Sequence, residues 1–216
     1  MRRNGLSLNM IGETAATHNG RGTAIAIAVA VPAAIILLVL YYTVGGPFGT
    51  LNDLANALAG VLSAVLAAQT AARFRVPVAA VAGAGAGATL MVVGSWLVIT
   101  GRTGWVLAGL VSVAGAAALG AWVVTVNVTA ERAGKLSPPV ARLGAASGTL
   151  MMLGILSVPD VLARVDTWEG LHWYGMAGFV GWLGLYLGYP VWCALLSRTL
   201  VSDALGKPGA APGCSG

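Results

Sequence analysis

Charged side chains make up only 9% of this 216-residue chain, whereas a soluble domain carries about 25%. Hydrophobic residues make up 57% of the chain, and the mean hydropathy is +0.83. A soluble chain of this composition could not cover its surface with polar groups, so lipid is the expected solvent. The 31 glycines agree with this expectation, because glycine is commoner in transmembrane helices than in soluble ones.

Residue types that several chemistries require are also scarce. His18 and His172 are the two histidines, which excludes a bis-histidine haem within the apolar segments and histidine-rich metal catalysis. The spacing of Cys193 and Cys214 resembles neither a metal site nor a disulfide framework. No lysine lies in an apolar run to carry a retinal Schiff base, and there is no phosphate-binding Gly-x-x-x-x-Gly-Lys-Ser/Thr motif. The sequence therefore predicts neither a cofactor nor a bound metal.

Six apolar runs follow one another, separated by short polar or proline-containing breaks. They cover roughly residues 23–44, 52–72, 78–100, 103–128, 140–165 and 171–197. A run of about 22 residues gives a helix of about 33 Å, which is long enough to cross a bilayer. The predicted fold is an all-α integral membrane protein with six transmembrane helices in one bundle. This divides the chain into a disordered cytoplasmic tail at 1–22, a six-helix transmembrane domain at 23–198 and a second disordered cytoplasmic tail at 199–216.

Basic residues are unevenly distributed between the two ends of these helices. Ten of the twelve lie on the side of the amino terminus: Arg2, Arg3, Arg21, Arg73, Arg75, Arg132, Lys135, Arg142, Arg198 and Lys207. Because cytoplasmic loops are rich in Lys and Arg, this predicts a multi-pass protein of the plasma (inner) membrane with both termini cytoplasmic. The net charge of +5 is distributed over these loops and is not gathered on one face with aromatics. No nucleic-acid partner is therefore predicted.

Short phrases recur in alternate helices. The phrase LAGVLS at 58–63 returns as LAGLVS at 107–112, and ATLMVVG at 88–94 resembles GTLMMLG at 148–154. Three tandem helical hairpins would explain these matches. Chance would also explain them, because Ala, Gly, Leu and Val dominate the chain.

Small and polar residues indicate how the helices pack. Pairs of small residues four apart let helix backbones approach closely; they are Gly83 with Gly87, Ala116 with Gly120, Gly144 with Gly148, and Gly184 with Gly188. A polar stripe on the second helix consists of Asn52, Asn56, Ser63 and Thr70. This stripe is expected to face protein, because an unpaired amide in hydrocarbon costs several kcal/mol.

Polar side chains gather at the predicted outer ends of the helices. The candidate ligand-binding residues are Asn52, Asp53, Asn56, Arg102, Asp160, Arg164 and His172. Asp160 follows a proline inside an apolar run, and an ionisable residue at membrane depth indicates function, usually with a partner. Arg164, one helical turn away, is the simplest partner. For Asp53 the alternative is a capping box in which Thr50 caps the second helix and Asp53 bonds back to it.

Two functional interpretations follow. In the first, the chain binds or transports a small ligand through an outward-facing polar vestibule. In the second, it is a structural or interaction subunit that packs against a second copy or another membrane protein through its glycine-rich faces. An enzyme is the least favoured class and no catalytic residue is predicted. Ser147 and His172 lie near opposite ends of their helices, about 25–30 Å apart by helix rise, whereas a nucleophile and its base must come within about 3 Å.

Overall fold

The computed structural model describes the backbone of residues 5–202 and the side chains of residues 20–200, and all regular secondary structure in this part of the chain is helical. The elements are α1 (Gly5–Val44), α2 (Phe48–Phe74), α3 (Val78–Ile99), α4 (Trp105–Arg132), α5 (Pro138–Met152), a 3-10 stretch (Leu153–Ser157), α6 (Val158–Leu162), α7 (Trp173–Phe179), α8 (Gly181–Leu183), a π-helical turn (Gly184–Gly188) and α9 (Tyr189–Ser202).

Six segments are long and apolar enough to cross a membrane, as predicted. We number them spans 1 to 6: Gly20–Val44, Phe48–Phe74, Val78–Ile99, Trp105–Arg132, Pro138–Leu162 and Trp173–Leu200. Helix α1 begins at Gly5, where the sequence predicted a disordered tail over 1–22. No proline interrupts residues 5–31, so helical geometry can continue back from the apolar run. The predicted tail at 199–216 lies outside the described residues from 203 onward, and its first four residues continue α9.

The helices run antiparallel, which places their loops at two ends of the bundle. Loops 45–47, 100–104 and 163–172 form what we call the three-loop end, and loops 75–77 and 133–137 form the two-loop end. At the three-loop end the Gly104 amide donates to the Asp166 carboxylate. At the two-loop end the Lys135 ammonium donates to the Arg73 carbonyl.

Span 4 is the most enclosed segment of the bundle. Its most apolar stretch is 78% buried, compared with 22% to 44% in the other five spans. Span 1 packs against spans 2 and 6, span 3 against spans 2 and 4, and span 5 against spans 4 and 6. The even-numbered spans therefore meet at the centre, with the Trp122 and Trp192 rings 6.1 Å apart. Three hairpins arranged around one axis would give this order, and their origin by duplication stays a prediction.

Glycines bring the helix backbones into direct contact. A Cβ atom built on Gly120 would lie 2.5 Å from the Gly148 carbonyl oxygen, and one built on Gly87 would lie 2.5 Å from the Gly115 carbonyl oxygen. The packing predicted for Gly87, Gly120 and Gly148 is thus confirmed. Gly83 is different, because nothing lies within 4 Å of its Cβ position. Its predicted pairing with Gly87 is wrong, since the close approach between α3 and α4 is at Gly87 and not one turn earlier.

Two prolines account for the irregular turns in spans 5 and 6. Pro159 has no N–H for the Ile155 carbonyl, which instead accepts from the Val158 amide in a 3-10 bond. In span 6 the ring of Pro190 would clash with the carbonyl of Tyr186, four residues earlier. The helix widens into the π turn Gly184–Gly188 just before this proline. The wider turn carries Tyr186, which belongs to the site described next.

Candidate functional site

The polar stripe of α2 faces the interior of the bundle, as predicted. Asn52 is 5% exposed, Ser63 1% and Thr70 2%, and Asn56 is half-buried. The Ser63 and Thr70 hydroxyls donate to carbonyls one turn back, at Ala59 and Leu66. The Asn56 amide donates to the Asn52 side-chain oxygen at 3.4 Å. Some polar groups of the stripe therefore form their hydrogen bonds within α2 itself, inside an otherwise apolar bundle.

Span 6 supplies the partners of this stripe. The Tyr186 hydroxyl donates to the Asn56 side-chain oxygen at 2.9 Å, and the Tyr189 hydroxyl donates to the Ser63 hydroxyl at 2.8 Å. These two bonds join span 2 to span 6 across the centre of the bundle. They satisfy buried polar groups that would otherwise destabilise it.

A third polar contact joins spans 4 and 6 nearer the two-loop end. The Trp192 indole N–H donates to the Asn127 side-chain oxygen at 2.9 Å, and Asn127 donates in turn to the Val123 carbonyl. Sequence reasoning did not single out Asn127, Tyr186, Tyr189 or Trp192. Asn127 could have been identified from the sequence, because a side-chain amide within an apolar run needs a hydrogen-bond partner inside the bundle.

A small cavity lies among spans 1, 2, 3, 4 and 6 at the three-loop end, with a volume of about 30 Å³. Its polar lining consists of Asn52, Asp53, Asn56, Ser95, Ser112 and Tyr186. Its other lining residues are Leu38, Met91, Gly94, Val98, Trp105, Ala108, Gly109, Trp182 and Leu185. A water molecule needs about 10–15 Å³ measured in this way. The cavity therefore accommodates a ligand of only a few heavy atoms.

Asp53 is the one carboxylate of the described side chains that lines the cavity, and it is half-buried. Among the residues that the structure describes, no lysine, arginine or histidine lines the cavity with it. The predicted capping box is wrong: α2 begins at Phe48 after Pro47, and no side chain caps it. Pro47 has a φ of −76°, close to the helical value, which allows the helix to begin earlier than predicted. Asp53 therefore belongs to the second turn of α2 and not to its cap.

Asp160 lies apart from the cavity and is paired with His172. Asp160 is 0% exposed, and its Oδ1 atom is 2.7 Å from the His172 Nδ1 atom. Its Oδ2 atom accepts the backbone N–H of His172 at 3.3 Å. The predicted partner Arg164 is wrong: α6 ends at Leu162, and Arg164 has a left-handed φ of 55°. The helix therefore does not continue to the position one turn after Asp160.

The Asp160 carboxylate stabilises the start of α7. His172 is the N-cap residue of α7, so the carboxylate lies where a helix dipole favours negative charge. A Cβ atom on Gly175 would lie 2.1 Å from Asp160 Oδ2, so glycine is required for this close approach. Asp160 and His172 are thus brought together as a structural pair, separate from Asn52, Asp53 and Asn56.

A second aspartate has the same role at α4. The Asp166 carboxylate accepts the backbone N–H groups of Gly104 at 2.5 Å and Leu107 at 3.0 Å. These amides belong to the first turn of the helix, where no intrahelical acceptor is available. Asp160 and Asp166 at the three-loop end therefore accept hydrogen bonds from backbone amides at the starts of α7 and α4.

The two predicted arginines lie outside the cavity. The Arg102 guanidinium is 4.5 Å from the centre of the Trp96 ring, and the Arg102 side chain is exposed. Arg164 is also exposed. Of the seven candidate residues, the cavity therefore gathers Asn52, Asp53 and Asn56. The other four lie elsewhere at the three-loop end.

Aromatic rings also line the cavity. Trp105, Trp182 and Tyr186 belong to its wall. The ring centroids of Trp105 and Trp182 are 5.9 Å apart at an interplanar angle of 72°, and those of Trp182 and Tyr186 are 5.9 Å apart at 66°. Phe179 and Trp168 extend this group toward the loop 163–172. These rings form a compact aromatic cluster beside the cavity.

The buried Ser147 hydroxyl donates to the Gly184 carbonyl at 2.8 Å. This hydrogen bond joins span 5 to the π turn of span 6.

Within the described residues, no three His, Cys, Asp or Glu side chains are grouped to hold a metal ion.

No protein-family model matches this chain, and the searches of the curated proteins and of the solved structures found no match.

Proposed function

We propose that this protein is embedded in the plasma (inner) membrane through its six spans, with both termini cytoplasmic, and binds or transports a small cation at the cavity near Asp53. The length and hydropathy of the spans support the embedding. The excess of basic residues on one side supports the orientation. In this orientation the three-loop end, with its cavity, faces away from the cytoplasm.

The observation that carries the proposal is the position of Asp53. It lies five residues after the start of α2, or about 7.5 Å along the helix axis. Burial disfavours the charged form of a carboxylate at this depth, and a proton, a positive partner or a bound cation would neutralise it. No basic side chain of the described chain lines its cavity. A bound cation would supply the missing charge.

The second interpretation, a structural subunit with glycine-rich docking faces, has less support. Gly87 and Gly115 contact each other inside the bundle, and so do Gly120 and Gly148. These glycines hold the protein's own helices together and are therefore not available to a partner. Gly83 and Gly85 have open space around them, and they form a much smaller face.

The test is a thermal-shift screen of the purified protein against chloride salts of small cations at constant ionic strength. A cation at 100 times its Kd stabilises the folded state by about 2.7 kcal/mol. We expect a stabilising cation for the unmodified protein and no stabilisation of Asp53→Asn, which keeps the shape of the side chain.

Two matched variants separate the cavity from the other acids of the three-loop end. Glu169→Gln removes an exposed acid and should keep the full cation response. Asp160→Asn should lower the melting temperature through its structural pair with His172, and should still respond to the cation. A response that survives Asp53→Asn, or that is lost equally in all three variants, would contradict the proposal.

A further inference from the structure

The cavity joins a carboxylate to three aromatic rings set at steep angles. Trp182 stands at 72° to Trp105 and at 66° to Tyr186, with both centroid separations 5.9 Å. Each of these two pairs is in edge-to-face contact, and all three rings line the cavity. Aromatic faces attract cations, and cages of aromatic rings recognise alkylated ammonium groups.

We propose that the cation is a small protonated amine of one to three heavy atoms, recognised by Asp53 and by the rings of Trp105, Trp182 and Tyr186, all of which line the cavity. This inference rests on the proposed function and specifies its ligand. Asp53 would balance the charge of the ammonium group, and the rings would contact its alkyl part.

A buried hydroxyl supports a ligand that donates hydrogen bonds. Ser95 lines the cavity and is only 4% exposed. A hydroxyl that lines a cavity can exchange hydrogen bonds with a molecule inside it. An ammonium N–H group satisfies both Ser95 and Asp53.

The lining suits an amine better than a metal ion. A hard cation takes six or more oxygen ligands. Here the lining offers one carboxylate, the Asn52 and Asn56 side-chain oxygens each have one lone pair engaged in a hydrogen bond, and much of the wall is aromatic or aliphatic. The volume of about 30 Å³ corresponds to about two or three water-sized positions. Methylammonium, with two heavy atoms, is therefore the best probe.

The test is an equilibrium titration of the full-length protein in detergent, followed by tryptophan fluorescence and by thermal shift. The titrants are methylammonium chloride, sodium chloride at the same ionic strength, and methanol as a neutral molecule of similar size. We expect saturable binding of methylammonium, weaker or undetectable binding of sodium, and no binding of methanol. Asp53→Asn should abolish methylammonium binding.

Variants of the rings separate the cage from the general effect of charge. Trp182→Leu should weaken methylammonium binding by about 3- to 30-fold, from the usual strength of a cation–π contact. Trp182→Phe keeps a ring and should weaken it less, which also provides a folded variant if the leucine substitution destabilises the protein. Trp173→Leu is the matched control, because Trp173 is 75% exposed and does not line the cavity.

The outcomes distinguish this inference from the proposed function. Sodium binding that depends on Asp53, without methylammonium binding, would overturn the inference and leave the cation site intact. Equal methylammonium affinity in Trp182→Leu and the unmodified protein would also overturn the cage. Binding of neither cation would overturn both proposals.

Discussion

The contact between α4 and α5 gives the sharpest stability prediction. A Cβ atom at Gly120 would lie 2.5 Å from the Gly148 carbonyl oxygen and 2.7 Å from the Met151 Cβ atom. An ordinary contact distance is about 3.5 Å, so Gly120→Ala must push the two helices apart by roughly 1 Å. Overpacking of this kind costs about 1–3 kcal/mol. Alanine stabilises a helix by about 0.5–1 kcal/mol relative to glycine, and this gain offsets part of the overpacking cost.

Gly83→Ala is the matched control, because the same atom is added on α3 with nothing within 4 Å. It should be neutral or stabilising by up to about 1 kcal/mol. The assay is reversible unfolding of both variants and the unmodified protein in mixed detergent micelles, followed by circular dichroism. We expect Gly120→Ala to be less stable than Gly83→Ala by about 1–3 kcal/mol. Equal stabilities would refute direct backbone contact between α4 and α5.

Three further predictions concern the interior bonds and the helix starts. Gly175→Ala should displace the Asp160 carboxylate, whose Oδ2 atom would lie 2.1 Å from the new Cβ atom, and should cost about 1–3 kcal/mol in the same unfolding assay. A double-mutant cycle of Ser63→Ala and Tyr189→Phe should give a coupling energy of about 0.6 kcal/mol, whereas zero coupling would contradict their hydrogen bond. Asp166→Ala should cost about 1–2 kcal/mol, since two helix-start amides lose their acceptor, and no loss of stability would show that water replaces it.

The number of spans and the orientation of the α2 stripe could be predicted from the sequence. Both depend on local properties, which are the length of each apolar run and the cost of exposing an amide or hydroxyl to hydrocarbon. Asn52, Ser63 and Thr70 share one face at helical spacing, and all three are buried. Most of the close glycine contacts also followed from spacing alone.

The environments of Asp53 and Asp160 could not be predicted, because each depends on where a helix begins or ends. Pro47 starts α2 at Phe48 and moves Asp53 out of the first turn. The left-handed residue Arg164 ends the helical geometry after α6 and leaves Asp160 to bond with His172, twelve residues later. Local spacing carries no information about a partner brought back by a loop.

The aromatic wall of the cavity was missed for a related reason. Trp182 lies just before the π turn Gly184–Gly188, and Tyr186 lies within it. A π turn adds one residue to the helical repeat, so the faces assigned from a regular period of 3.6 do not hold across it. The contact of Trp182 with Trp105 from span 4 is also a tertiary contact.

The most direct measurement of the cation site is isothermal titration calorimetry of the protein reconstituted in lipid nanodiscs. Methylammonium chloride and sodium chloride are titrated in parallel into the unmodified protein, Asp53→Asn and Glu169→Gln. We expect one saturable cation site per chain in the unmodified protein and in Glu169→Gln, and no binding heat above dilution in Asp53→Asn. The same affinity in Asp53→Asn as in the unmodified protein would contradict a cation site at Asp53.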